Sequence, residues 1–158
     1  MRALYWFRED LRLEDNPALT ALSADVDEAV FAFVQPDTAA WSQSPERMGE
    51  HRSRFMAESV LALDKALRER GNQLVLLHGD PDVVVVEAAR QWSCQAVYSQ
   101  RCHTHEEEVA AAKVADALPH HTFEGLSLIH ISEPTRRTPI SYAVFCLKKN
   151  KFNLDKEA

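Results

Sequence analysis

Apolar residues in this chain fall into short unbroken runs separated by longer amphipathic stretches. Residues 3–7 form the first run, continuous and aromatic, as expected of a strand buried on both faces. Asn16-Pro17 opens a short helix through about Leu22: asparagine caps, and proline fits the first helical position, where its missing N–H costs nothing. Residues 29–34 are a second run, stopped by Gln35-Pro36-Asp37, and a polar loop then extends to about Pro45. From about Glu46 to Arg70 the period becomes helical. Phe55, Ser59, Ala62/Leu63, Ala66 and Leu67 recur three and four apart, and Gly71 supplies the C-terminal cap. Residues 74–77 predict a third strand, and Asp80-Pro81 the cap and first turn of another helix. A short fourth strand follows at 96–98. Thr104 caps a helix through about Leu118, with Glu107 completing a capping box, and Thr122-Phe123 predicts a fifth strand.

Strands alternating with helices, over connections too long for hairpins, argue for right-handed βαβ crossovers and a parallel sheet. The fold class is therefore α/β: a doubly wound, Rossmann-like, five-stranded parallel sheet with helices on both faces. In such sheets ligands bind in the crevice outside the carboxyl ends of the strands. The loop after the first strand carries alternating charges, Arg8, Asp10, Arg12 and Asp15. On physics alone these cross-pair and fix the shape of the loop, while an arginine there can also grip a carboxylate or phosphate with two parallel hydrogen bonds.

Composition narrows this reading. The chain of 158 residues is 46% hydrophobic and 27% charged, which fits one domain with a real core. No stretch approaches the roughly 18 consecutive apolar residues of a membrane helix, and the N-terminus reads as a first strand rather than a secretion signal. Three cysteines, Cys94, Cys102 and Cys146, make no CxxC pair, which suits a reducing, cytoplasmic setting. Residues 1–125 hold 12 basic against 21 acidic groups, a net of −9. An acidic body does not displace phosphate counterions, so direct DNA binding is not expected of it.

The character changes after Gly125. Residues 132–139 have two prolines and no period, residues 140–147 are apolar, and a lysine-rich end follows. The domain is drawn as 1–125, and 126–158 as a non-native or disordered tail whose sequence from Ser127 resembles translated adapter read-through, excluded from fold reasoning. The other reading is a sixth element with a solvated end.

Other constellations carry little chemistry. His103 and His105 in Cys102-His103-Thr104-His105-Glu106 invite a zinc reading, but residues two apart share a face only in extended chain, and no second ligand cluster has the spacing. Adjacent His120 and His121 face opposite ways on a strand. No metal site is expected. Cys102 in a basic setting would be a thiol of lowered pKa. The four glycines form no phosphate loop.

The most specific stretch is Trp6-Phe7-Arg8-Glu9-Asp10-Leu11-Arg12-Leu13-Glu14-Asp15-Asn16-Pro17-Ala18-Leu19. It resembles the opening signature of photolyases and cryptochromes. The likeness continues through Val34-Gln35-Pro36 with Trp41 and Ser44-Pro45, through residues 54–60 with Leu63 and Leu67, and through Leu77-His78-Gly79-Asp80-Pro81 and Ala96-Val97-Tyr98. Glu106-Glu107 and residues 125–128 lean towards the DASH-type branch, with class I pyrimidine-dimer photolyases as the other choice. The resemblance implies an N-terminal antenna domain cut off before a helical domain that holds FAD and performs light-driven DNA repair or photoreception. The chain itself would have no catalytic residues. Its antenna would be methenyltetrahydrofolate or a deazaflavin, and its partner the absent FAD domain. Where folate-binding relatives place a glutamate after the fourth strand, this chain carries Cys102 or His103, and Gln35 stands where relatives often have aspartate. The ligand-facing set expected at the strand ends is Arg8, Gln35, Gln100, Arg101 and His103. Two alternatives are a stand-alone nucleotide- or flavin-binding α/β module and a non-binding structural domain.

Overall fold

In the computed structural model the described residues are 1–35 and 50–125. The polar loop with Trp41 and Ser44-Pro45, the first turn expected from Glu46, and the whole of 126–158 lie outside them. The elements run β1 (Arg2–Phe7), α1 (Pro17–Asp25), β2 (Glu28–Gln35), α2 (Glu50–Glu69), β3 (Leu74–His78), α3 (Pro81–Gln91), β4 (Ala96–Gln100), α4 (His105–Ala117) and β5 (His120–Phe123). All pairings are parallel, in the order β3-β2-β1-β4-β5. The five-stranded, doubly wound architecture expected from the sequence is the one observed. Strands β2 and β5 are longer than their apolar runs, because ladder pairing extends over Glu28 and His120 whatever their side chains.

The continuous apolar run of β1 is explained by its place at the centre. Leu4 pairs with Val30 on one side and Val97 on the other. Alternation then divides its side chains between two cores. Ala3, Tyr5 and Phe7 pack with α1 and α2 through Leu19, Leu22, Leu63 and Leu67, and Leu4 and Trp6 pack with α3 and α4 through Val85, Ala89 and Val114.

Helix α2 turns Leu63 and Leu67 inward as its period suggested, but not Phe55. Val60, Leu63 and Leu67 are buried, while Phe55 is 71% exposed and Ala62 is exposed. The stripe through Met56, Val60, Leu63 and Leu67 and the stripe through Phe55, Ser59 and Ala62 are both helical. They lie one residue, about 100°, apart, and the sheet takes the one richer in aliphatic bulk. Gly71 ends the helix as expected, with φ +79 and its N–H on the Arg68 carbonyl.

The signature loop is held by Asn16. Its side-chain oxygen accepts from the Leu19 N–H at 3.2 Å and from the Tyr5 hydroxyl at 3.1 Å, and its amide donates to the Arg12 carbonyl at 3.1 Å. Burial pushes the Tyr5 phenol well above its ordinary pKa, so it remains a neutral donor. The expected cross-pairing holds for three of the four charges: Arg12 meets Asp10 at 2.9 Å and Asp15 at 3.8 Å. The fourth, Arg8, turns away. Capping of the later helices differs from expectation. Thr104 gives its hydroxyl to the Glu107 carboxylate at 2.6 Å instead of accepting a backbone N–H, and Asp80 makes no side-chain cap bond.

Candidate functional site

Helices α1 and α2 cover one face of the sheet and α3 and α4 the other, so the winding reverses between β1 and β4. A doubly wound sheet opens its ligand crevice at such a switch point, beyond the carboxyl ends of the strands. Here the ends of β1 and β2 and the first turns of α2, α3 and α4 enclose a cleft of about 760 Å³, within the range of small-molecule sites. Its apolar wall includes Trp6, Phe33, Val34 and Met56. Arg8 lies across that wall, with its guanidinium carbon 4.6 Å from the Trp6 ring centre and Nη2 donating to the Glu107 carbonyl at 2.7 Å. It is 91% buried, since its exposure is 9%. A buried guanidinium stacked on an indole combines a cation–π contact with the donor fork that reads planar anions. At the rim, Lys113 pairs with Asp82 at 2.7 Å and Arg52 lies 3.9 Å from Glu9.

Of the residues expected at the strand ends, Arg8 lines this cleft. Gln35 is exposed at the end of β2, in register with His78. Gln100 is buried, and by strand alternation it points to the α1 side, where Arg12 donates to the Gly125 carbonyl at 3.2 Å. Gly125 passes so close to it that a Cβ there would fall 1.3 Å from Gln100 Nε2. Neither the nitrogen nor the oxygen of the Gln100 amide has a hydrogen-bond partner among the described residues. Arg101 reaches outward to Glu124 at 3.2 Å and Glu108 at 3.9 Å, and His103 is exposed. The five therefore share an edge of the sheet without converging on one cavity.

Residues 3–157 match the DNA photolyase family. The chain belongs to that family. Similar proteins include the blue-light photoreceptor PHR2 of Arabidopsis thaliana, 32% identical over 164 residues, covering 98% of this chain and 37% of that one. Cryptochrome DASH of Natronomonas pharaonis is 38% identical over 118 residues, covering 73% and 25% respectively. Among solved structures, the cryptochrome of Synechocystis sp. PCC6803 superimposes with a TM-score of 0.71 at 26% identity, covering 78% of this chain and 27% of its own. The chain thus spans about a quarter to just over a third of the length of these relatives. The match to the family runs on past the compositional boundary at residue 125.

In this photolyase-family chain the titratable groups near the cleft are set by burial. Burial pushes the Cys102 thiol up; the Arg8 charge opposes this, and Glu107 adds to it. The thiol is thus the reverse of the activated one its basic neighbours in sequence suggested. His120 is half-buried against Trp6, with ring centres 6.1 Å apart, Nε2 2.8 Å from Ser99 Oγ and Nδ1 3.2 Å from the Ala111 carbonyl oxygen. Desolvation lowers its pKa, the Ala111 carbonyl raises it, and the charges of Arg8 and His121 lower it further. His121 lies against Tyr98 on the opposite face, with ring centres 4.8 Å apart and the planes tilted by 35°, as the alternation of adjacent histidines required. His103 and His105 are both exposed. Trp6, Arg52, Met56 and Glu107 were missed as cleft residues. The available signal was topological: in a doubly wound sheet the first turns of α2, α3 and α4 must all point towards the crevice.

Proposed function

We propose that this chain is the light-harvesting module of a photolyase or cryptochrome, holding a planar antenna chromophore in the cleft at the β1/β4 switch point. The observation that carries the reading is the buried Arg8 guanidinium lying against Trp6 in a cavity of small-molecule size. Trp6 supplies the aromatic wall, Arg8 the donors for a carboxylate, phosphate or ring carbonyl, and Met56 with Val34 the apolar lining. Methenyltetrahydrofolate or a deazaflavin supplies blue-light absorption when bound. The module would then pass excitation to FAD in a helical partner domain, in a protein that repairs DNA or senses light. No helix among the described residues is long and apolar enough to cross a membrane.

The test is spectroscopic. Purified chain, alone and after incubation with methenyltetrahydrofolate or a deazaflavin, should retain a near-UV or blue band through gel filtration, and Arg8→Ala should lose it. A bare protein spectrum after both incubations refutes the antenna reading and leaves a non-binding structural domain.

A further inference from the structure

A different group of side chains gathers at the mouth of the cleft, on the seam between β1 and β4. We propose that Glu9, Cys102 and Glu107 form a binding site for one thiophilic divalent cation of the zinc class. Their donor atoms, one sulfur and two carboxylate oxygens, lie within 4.8 Å of one another. They come from three separate elements: the loop after β1, the loop after β4 and the first turn of α4.

The fold positions each ligand independently. The Cys102 sulfur is buried, with a residue exposure of 6%, and receives the backbone N–H of Glu9. The Glu107 carboxylate is oriented by the Thr104 hydroxyl at 2.6 Å, the kind of supporting hydrogen bond that holds a metal-binding carboxylate in place. Glu9 is the exposed arm, 3.9 Å from Arg52. Tetrahedral zinc with sulfur at about 2.3 Å and oxygen at about 2.1 Å sets its donors roughly 3.4–3.6 Å apart. From donors within 4.8 Å of one another, the cluster therefore closes by at most about 1.4 Å, within glutamate rotamer motion.

The donor set selects the ion. A sulfur ligand disfavours magnesium and calcium, which take oxygen, and favours zinc, cadmium or cobalt. Three protein ligands leave a fourth tetrahedral position open to water. Charge also balances: thiolate and two carboxylates carry three negative charges, met by the cation and Arg8. On binding, a sulfur–metal bond replaces the S–H bond and the thiol proton passes to solvent. Glu9 and Glu107 also line the cleft, but the site needs no chromophore, so cation binding is tested separately from the antenna reading.

The experiment uses the full chain carrying Cys146→Ser, which removes the thiol outside the described residues. Metal-free protein is titrated with cobalt or cadmium chloride, and the near-UV thiolate-to-metal charge-transfer band is followed, with far-UV circular dichroism to check folding. One equivalent should bind per chain. Cys102→Ser should abolish the band and Cys94→Ser should leave it. Glu9→Gln and Glu107→Gln should each weaken binding more than about tenfold, and Thr104→Val about 10–100-fold. Absence of the band in the parent, its survival in Cys102→Ser, its loss in a folded Cys94→Ser, or unchanged affinity in both glutamine variants overturns the site. The two glutamine variants carry the test on their own if Cys102→Ser does not fold.

Discussion

Replacing Asn16 by alanine removes three hydrogen bonds at one buried point, and the resulting loss of stability can be apportioned. The Asn16 oxygen caps α1 through the Leu19 N–H and also receives the Tyr5 hydroxyl. Loss of an asparagine cap costs about 0.5–2 kcal/mol. The Tyr5 hydroxyl, on a side chain only 1% exposed, would be left without its acceptor, at a further cost of about 1–3 kcal/mol. The sum is about 1.5–5 kcal/mol, a large share of the 5–15 kcal/mol typical of a whole domain. Urea unfolding followed by far-UV circular dichroism should show a lowered midpoint with the slope unchanged. The decisive comparison is Tyr5→Phe in both backgrounds. In the parent it should cost about 0.5–1.5 kcal/mol by removing a donor. In Asn16→Ala it should cost nothing or restore stability, because the orphaned hydroxyl is gone, giving a coupling of at least about 0.5 kcal/mol. Equal cost of Tyr5→Phe in the two backgrounds would refute the shared-acceptor account.

Leu67→Ala, at a side chain with 0% exposure, should destabilise by about 2–5 kcal/mol in the same assay, since α2 cannot collapse onto a rigid sheet. His120 has a folded pKa lowered from 6.5 by burial. The unfolded chain therefore takes up the proton first, and stability should fall as pH drops below about 6.5, levelling off below the folded pKa. His120→Asn should flatten that slope below pH 6.5; an identical slope in both proteins would assign it elsewhere. Asp82, held low by Lys113, acts in a more acid window: its contribution is present above the ordinary carboxylate pKa and is lost as pH falls through the lowered value. A chain ending at residue 125 should unfold with the same midpoint as the full chain if 126–158 is foreign. An unfolding free energy lower by more than about 1 kcal/mol, the size of one ordinary buried contact, would make that segment part of the domain.

The fold was legible because its strands are apolar runs and its connections are long, and β1 advertises its central place by burying both faces. The facing of α2 was legible at Leu63 and Leu67 but not in its first half, since two stripes of the same period compete there and only the sheet decides between Phe55 and Met56. The candidate site was partly legible. Arg8 follows directly from the end of a strand, but Gln100 and Arg8 leave the sheet on opposite faces, a consequence of strand parity that neighbouring loop positions do not reveal. The meeting of Glu9 with Cys102 and Glu107 depends on β1 lying beside β4, a long-range pairing that no local pattern carries.

The central position of β1 also sets the order in which a nascent chain can complete itself. The strand made first waits for its second neighbour until β4, which begins at Ala96, 89 residues after β1 ends at Phe7. At translation rates of about 5–20 residues per second, that interval is roughly 4–18 s. Throughout it, one edge of an aromatic, backbone-hungry ribbon is open to any other strand in reach. The shape that shelters β1 so completely in the finished domain therefore makes it the segment most in need of protection during synthesis.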